Sequence, residues 1–308
     1  MVAMCLIIAC HFCQYYDNEW AWRLNVGVQI FFLLSGFLYG GKRIDEPIGW
    51  ISNQFGKILQ PYFLFLFFAL FLYGLFSPNL LSVTGVVKSI FSVGTIKGIG
   101  HLWFVGYILF CYLLTPYLSA IAQYIENKSA YRAFLLVLLV CLLFTIVSIL
   151  APYHYRPGRV LCYVLGYFLS VFYWRYGNKV MLGSLLTSVI SFLLIKLGYT
   201  FLQGILPSVA AQLSVITTDF SHLFAGTALT ILLIYVFKSL KGNSFLRLSD
   251  KYSYSIYLVH QLFILSPFAL MSISKHVYVN IILVLVAIIT SGYLLKLASD
   301  GVSKLLKK

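Results

Sequence analysis

The sequence predicts an all-α protein, a polytopic transmembrane helix bundle of about ten spans with no soluble domain. Three observations carry that reading. Of the 308 residues, 61% are hydrophobic and only 10% are charged, whereas an ordinary soluble domain is about a quarter charged. Mean hydropathy is +0.93. The apolar residues also fall into repeated blocks of about 17 to 22, the length that crosses a bilayer core. A water-soluble globule is excluded, and residues 1–308 read as a single integral-membrane domain without internal repeats or low-complexity segments.

The first span, residues 1–16, has neither a basic residue ahead of it nor a small-residue cleavage site, so it reads as a retained helix rather than a signal peptide. It is short, as if missing its first turn. His11 lies about 15 Å along it at 1.5 Å per residue, near mid-depth. Gln14 and Tyr15 follow on the same face at i+3 and i+4. An imidazole at that depth serves either chemistry or an interhelical hydrogen bond. Cys10 and Cys13 form a CxxC with no second pair, so no metal or redox centre is expected. All six cysteines lie in apolar blocks, where a free thiol acts as a small hydrophobe.

Spans two and three cover 26–40 and 58–76, separated by a basic connection and the segment Ser52–Pro61. Within that segment Lys57 reads equally as a point charge for a phosphate or as a cytoplasmic-loop lysine. Ser77–Gly100 contains Pro78, Lys88 and Lys97 and is too polar to span, which suits an outer loop with an interfacial helix. Span four, 102–122, opens on His101-Leu-Trp-Phe104. Helical spacing would set His101 and Trp103 about 200° apart, so both face one ligand only if the helix begins after them; Trp103 also suits a simple interfacial anchor.

Span five is 133–151. Arg156 and Arg159 introduce span six, 160–174, where Arg159, Tyr163 and Gly166 share one face. Two guanidiniums there would hold an anionic or hydroxyl-rich substrate, or snorkel to lipid headgroups. Spans seven and eight are 180–202 and 222–237. Span nine, 252–272, carries Ser253, Tyr257, His260 and Gln261 at i, i+4, i+7 and i+8. That polar stripe must turn toward protein or a water-filled cavity, because lipid cannot satisfy it. Span ten, 277–295, closes the bundle.

The chain carries 22 Lys+Arg against 8 Asp+Glu, a net +14. In this composition the excess reports loops facing anionic lipid, not a nucleic-acid partner. With both termini cytoplasmic, 15 of the 22 basic residues fall on the inner side, which is the orientation favoured by the positive-inside rule.

Four stretches, in order and spacing, resemble the integral-membrane acyltransferase 3 family, which includes bacterial O-antigen and other surface-polysaccharide O-acetylases. They are Gly27–Phe37 (GVQIFFLLSGF), Lys57–Tyr62 (KILQPY), His101–Pro116 (HLWFVGYILFCYLLTP) and Tyr252–His260 (YSYSIYLVH). The resemblance implies a membrane O-acyltransferase of the bacterial inner membrane. It implies transfer of an acyl group, usually acetyl from acetyl-CoA, to a hydroxyl of a surface glycan or its precursor, with no metal. It matches His11 to the catalytic histidine, as base or as covalent carrier. It places Lys57 at the donor's entrance, and His101, Arg156, Arg159, Tyr257 and His260 along the acceptor route.

The chain departs from the family pattern in three places. The basic residue that precedes the family's histidine by eleven positions would fall one residue before Met1, so the expectation is a start set too late. Gln29 stands where an acidic residue is common, and Gln54 where a second basic residue pairs with Lys57. Two other classes fit the same composition: an exporter of polysaccharide or lipid-linked sugar, and a catalytically impaired membrane homologue. A transporter should tolerate His11→Ala better than a transferase, and an impaired homologue should be indifferent to it.

Overall fold

The structure, a computed structural model, describes residues 1–93, 96–150, 158–238 and 244–305. Twelve α-helices follow one another among the described residues: α1 (Val2–Tyr15), α2 (Trp20–Leu24), α3 (Val26–Tyr39), α4 (Pro47–Phe76), α5 (Val83–Ile90), α6 (Trp103–Glu126), α7 (Ala130–Leu150), α8 (Gly158–Tyr176), α9 (Asn178–Ile205), α10 (Pro207–Lys238), α11 (Ser244–Ile264) and α12 (Val277–Leu305). No strand occurs among the described residues.

By length and apolar composition, seven helical segments among the described residues are able to cross a membrane: Trp20–Tyr39, Pro47–Phe76, Gly100–Glu126, Ala130–Val147, Asn178–Ile205, Pro207–Lys238 and Val277–Leu305. The other three expected spans are also helical but shorter or more polar, namely α1, α8 and α11. Phe63, Phe67 and Phe71 on α4, and Leu193, Leu197 and Phe201 on α9, are exposed at helical spacing. Apolar stripes of that extent are intolerable in water and natural against lipid. The protein is an all-α, multi-pass membrane bundle.

Several helix limits differ from the sequence reading. Ser52–Pro61, read as a connection, is wound into α4, with Pro61 inside the helix. Proline removes only its own N–H, the one that would serve the Lys57 carbonyl, and the apolar turns on either side carry the helix through. Span nine ends at Ile264 instead of residue 272. Pro267 disfavours helical geometry at Ser266. The Ser266 hydroxyl bonds back to the Leu262 carbonyl and also accepts from the Phe268 N–H, closing the chain into a turn. The segment after α4 holds the expected short helix, α5, capped by the Ser82 side chain accepting from Gly85 N–H. Two α4 hydroxyls tie this segment down: Tyr62 donates to the Ser89 carbonyl, and Tyr73 to the Lys97 carbonyl at 2.5 Å.

The chain divides into two compact units. The first comprises Met1–Leu24, Ile48–Tyr112 and Gly242–Lys308; the second comprises Asn25–Pro47 and Leu113–Lys241. In the first unit α11 packs on α12 and on α1, and Gln60 of α4 bonds both the Ser299 carbonyl and the Ser303 hydroxyl of α12, each at 2.6 Å.

The second unit centres on α3, which packs on α8 and α10. Its contact with α8 is backbone to backbone. A methyl group at Gly36 would fall on the Tyr163 carbonyl oxygen, and one at Gly166 on the Leu33 carbonyl oxygen. Gly40 lies one turn beyond Gly36, and Ser170 one turn beyond Gly166; the Ser170 hydroxyl donates to the Gly40 carbonyl at 3.2 Å. Small residues four apart on both helices are what lets two membrane helices approach this closely.

Candidate functional site: a buried imidazole cluster

Three histidines from three segments of the first unit meet. His11 comes from α1, His101 from the 3-10 turn Gly100–Leu102 that precedes α6, and His260 from α11. Ring centroids are 5.0 Å apart for His11 and His260 and 4.8 Å for His101 and His260. Tyr257 borders both His101 (5.2 Å) and His260 (5.5 Å). His101 is 4% exposed and His260 0%, while His11 is half-buried.

The short turn explains the position of His101. A helix beginning at Gly100 would send His101 and Trp103 to opposite sides; the tighter 3-10 turn delivers His101 to α11 before α6 begins at Trp103. Once there it is held from every side. Its backbone N–H donates to Gln261 Oε1 at 3.0 Å, and its carbonyl accepts the Tyr257 hydroxyl at 2.5 Å. Its Nδ1 faces Gln261 Oε1 at 2.8 Å, and its Nε2 faces the Leu258 carbonyl at 3.0 Å.

The other two rings are tethered at one nitrogen. His11 Nδ1–H donates to Gln14 Oε1 at 2.5 Å, which leaves Nε2 as the basic nitrogen. His260 Nδ1–H donates to the Tyr257 carbonyl at 2.5 Å. Its Nε2 is buried and has no hydrogen-bond partner among the described residues. Among the described residues no three His, Cys, Asp or Glu side chains are placed to hold a metal ion, and the cysteines are free thiols.

Of the residues singled out in the sequence, the fold therefore brings His11, His101, Tyr257, His260 and Gln261 together. Ser253, the fourth member of the span-nine stripe, stays outside, half-buried and bonded to the Asp250 carbonyl at 2.9 Å. Lys57 is exposed on α4. Its neighbour Ile58 accepts the Tyr254 hydroxyl at 3.0 Å, and Tyr254 precedes His260 by six residues, about 9 Å of helix. Arg159 stands in the first turn of α8, in the second unit, and its face is committed to packing: Tyr163 Oη shares a 2.7 Å hydrogen bond with Thr115, and Gly166 abuts α3. Arg156 lies outside the described residues.

Two features escaped the sequence reading. Tyr254 lies off the stripe yet supplies the link from α11 to the Lys57 turn. The second unit also contains a cavity of about 320 Å³ lined in part by Lys42, Arg43, Glu126, Trp174 and Arg175. Arg43 pairs with Glu126 at 3.1 Å, and Arg175 donates to the carbonyls of Ile125 (2.9 Å) and Lys128 (2.7 Å). Those carbonyls sit at the α6 C-terminus, where helix geometry leaves acceptors unserved. The available signal was the recurrence of basic residues in three short connections assigned to one side.

An all-α membrane bundle enclosing convergent imidazoles places this protein among multi-pass membrane proteins with a polar site buried inside the bundle. Comparison with protein families sharpens that class. The acyltransferase 3 family, described as an acyltransferase domain, matches residues 1–298, and the chain belongs to that family of membrane acyltransferases. Comparison with curated proteins and with solved structures gives no match.

Proposed function

We propose that this acyltransferase moves an acetyl group from acetyl-CoA to a hydroxyl of a surface glycan or its lipid-linked precursor, with His11 as the reacting side chain. The observation that carries this reading is the state of His11. Gln14 holds its Nδ1–H, so Nε2 keeps its lone pair, on a ring whose centroid lies 5.0 Å from that of His260. A neutral imidazole is suited to take the hydroxyl proton as the oxygen attacks the thioester carbonyl. An acyl group carried on the same nitrogen is the alternative course. Lys57, exposed on α4, is the proposed contact for the donor's phosphates. The proposed setting is the plasma membrane with both termini cytoplasmic, the arrangement that the 15 to 7 division of basic residues supports.

The test is the ester content of the surface polysaccharide, measured by mass spectrometry in cells lacking the native gene and supplied with wild type or His11→Ala. Esters in the first and none in the second are expected. Equal ester content in the two would remove His11 from the chemistry. Unchanged esters together with lost glycan export would favour a transporter.

A further inference from the structure

Every nitrogen of His101 has a partner, and the His11 ring is tethered by Gln14. His260 differs from both. It is the most buried ring of the three, its Nδ1–H is committed to the Tyr257 carbonyl, and its Nε2 has no hydrogen-bond partner among the described residues. An unpaired acceptor in a dry interior is costly, and one in the hydrocarbon zone more so. A histidine kept only for packing would be replaceable by phenylalanine or leucine without that cost. The unpaired nitrogen of His260 therefore calls for a function, and its surroundings name one. The ring centroids of His11 and His260 are 5.0 Å apart and the rings are tilted by 35°, a separation over which a proton is able to pass between imidazoles directly or through one water.

We propose that His260 is the proton partner of His11: its Nε2 receives the proton that His11 collects from the acceptor hydroxyl. This rests on the acyl-transfer reading above. In the transfer step the acceptor O–H bond breaks and its electron pair forms the new O–C bond to the acyl carbon. The C–S bond breaks and leaves with sulfur as thiolate, while the proton arrives on His11 Nε2. It then passes from His11 Nε2 to His260 Nε2, both rings keeping their Nδ1–H bonds to Gln14 and Tyr257. The same proton returns through His11 to the thiolate, so that ester and free thiol are the only products and both imidazoles end neutral. Tyr257, 5.5 Å from the His260 ring, offers an aromatic neighbour to the transient imidazolium. His260 acts through His11 and is a positioning and proton-holding residue that need not touch either substrate.

The experiment uses the full-length protein in proteoliposomes, with radiolabelled acetyl-CoA as donor and polysaccharide extracted from the source cells as acceptor. His260→Asn keeps an N–H near the place of Nδ1, to serve the Tyr257 carbonyl, and deletes the basic nitrogen. His260→Gln puts an amide, which takes up no proton at neutral pH, where Nε2 stood. Both should lower kcat by about a hundred- to ten-thousand-fold, the range of a lost acid–base partner, with KM for acetyl-CoA and for polysaccharide within three-fold of wild type and an unchanged melting temperature. A merely structural role would raise KM and lower the melting temperature together, and that outcome overturns the proposal, as does a kcat within three-fold of wild type in either folded variant. Failure of the underlying reading looks different: wild type would then form no ester, or His11→Ala would form as much as wild type, and the proposal would fall with it.

Discussion

Two junctions, one in each unit, hold membrane helices together in opposite ways. In the second, α3 and α8 are in backbone contact through Gly36, Gly40, Gly166 and Ser170, with side chains reduced to make room. In the first, α1, the His101 turn and α11 are joined by large polar rings, and hydrogen bonds replace close approach. Lipid tails offer no hydrophobic drive between helices, so association rests on packing or on interhelical hydrogen bonds. The α3–α8 seam exhibits the first and the imidazole cluster the second. The difference teaches where chemistry is able to reside: a glycine seam leaves no volume for a substrate, whereas a ring cluster supplies nitrogens whose partners are exchangeable.

The sharpest way to break that comparison is to remove a ring. His11→Ala should reduce acyl transfer by about a thousand-fold, within the span expected for a lost base. Stability should fall modestly, because the ring contact with His260 is lost together with the hydrogen bond to Gln14, an exposed residue of the same helix. Transfer assays beside a thermal melt in detergent check both halves.

The converse substitution strikes the seam. Gly166→Val would drive a branched side chain into the Leu33 carbonyl, and overpacking typically costs about 1–3 kcal/mol and more where backbone must move. Loss of the monodisperse peak in size-exclusion chromatography is expected. If activity per folded molecule also fell, the seam would prove to be more than scaffold.

A smaller effect is expected from Gln261→Leu. It strips the His101 N–H and ring of their common acceptor, and an unsatisfied buried donor costs about 1–3 kcal/mol. The melting temperature should fall by several degrees and transfer should weaken without vanishing, since His11 and His260 are untouched.

The smallest change belongs to Arg43→Ala. Its ion pair with Glu126 joins side chains 66% and 58% exposed, and exposed pairs contribute little. The melt should be indistinguishable from wild type. A large shift would mean that the cation-lined cavity of the second unit is a structural element in its own right.

Much of the fold was legible in the sequence because it is local. Apolar block length and polar punctuation placed a helix at each of the ten expected spans, and the period of span nine set Tyr257, His260 and Gln261 on one face. What lay beyond reach was of two kinds. Helix limits at Pro61 and Ile264 depend on whether neighbouring turns tolerate a proline, which composition does not decide. The junction of His101 with Gln261 links residues 160 apart, and no spacing rule reaches so far. Ser253 shows the limit from the other side: its period matched the stripe, but the cluster ends one turn above it, and a period carries no information about where along a helix a site stops.

The Gly100–Leu102 turn has a mechanical consequence. Two side chains of α11 grip it, Gln261 at the N–H of His101 and Tyr257 at its carbonyl, so the turn and α11 shift as one piece. His11 puts no such grip on α1: among the described residues its hydrogen bond stays within its own helix, and it meets His260 by ring contact. Of the two walls around the imidazoles, one is bolted and the other leans. Movement that opens the cluster is therefore cheapest at α1, and a spin label on α1 should report a broader range of distances to α11 than a label beside the bolted turn.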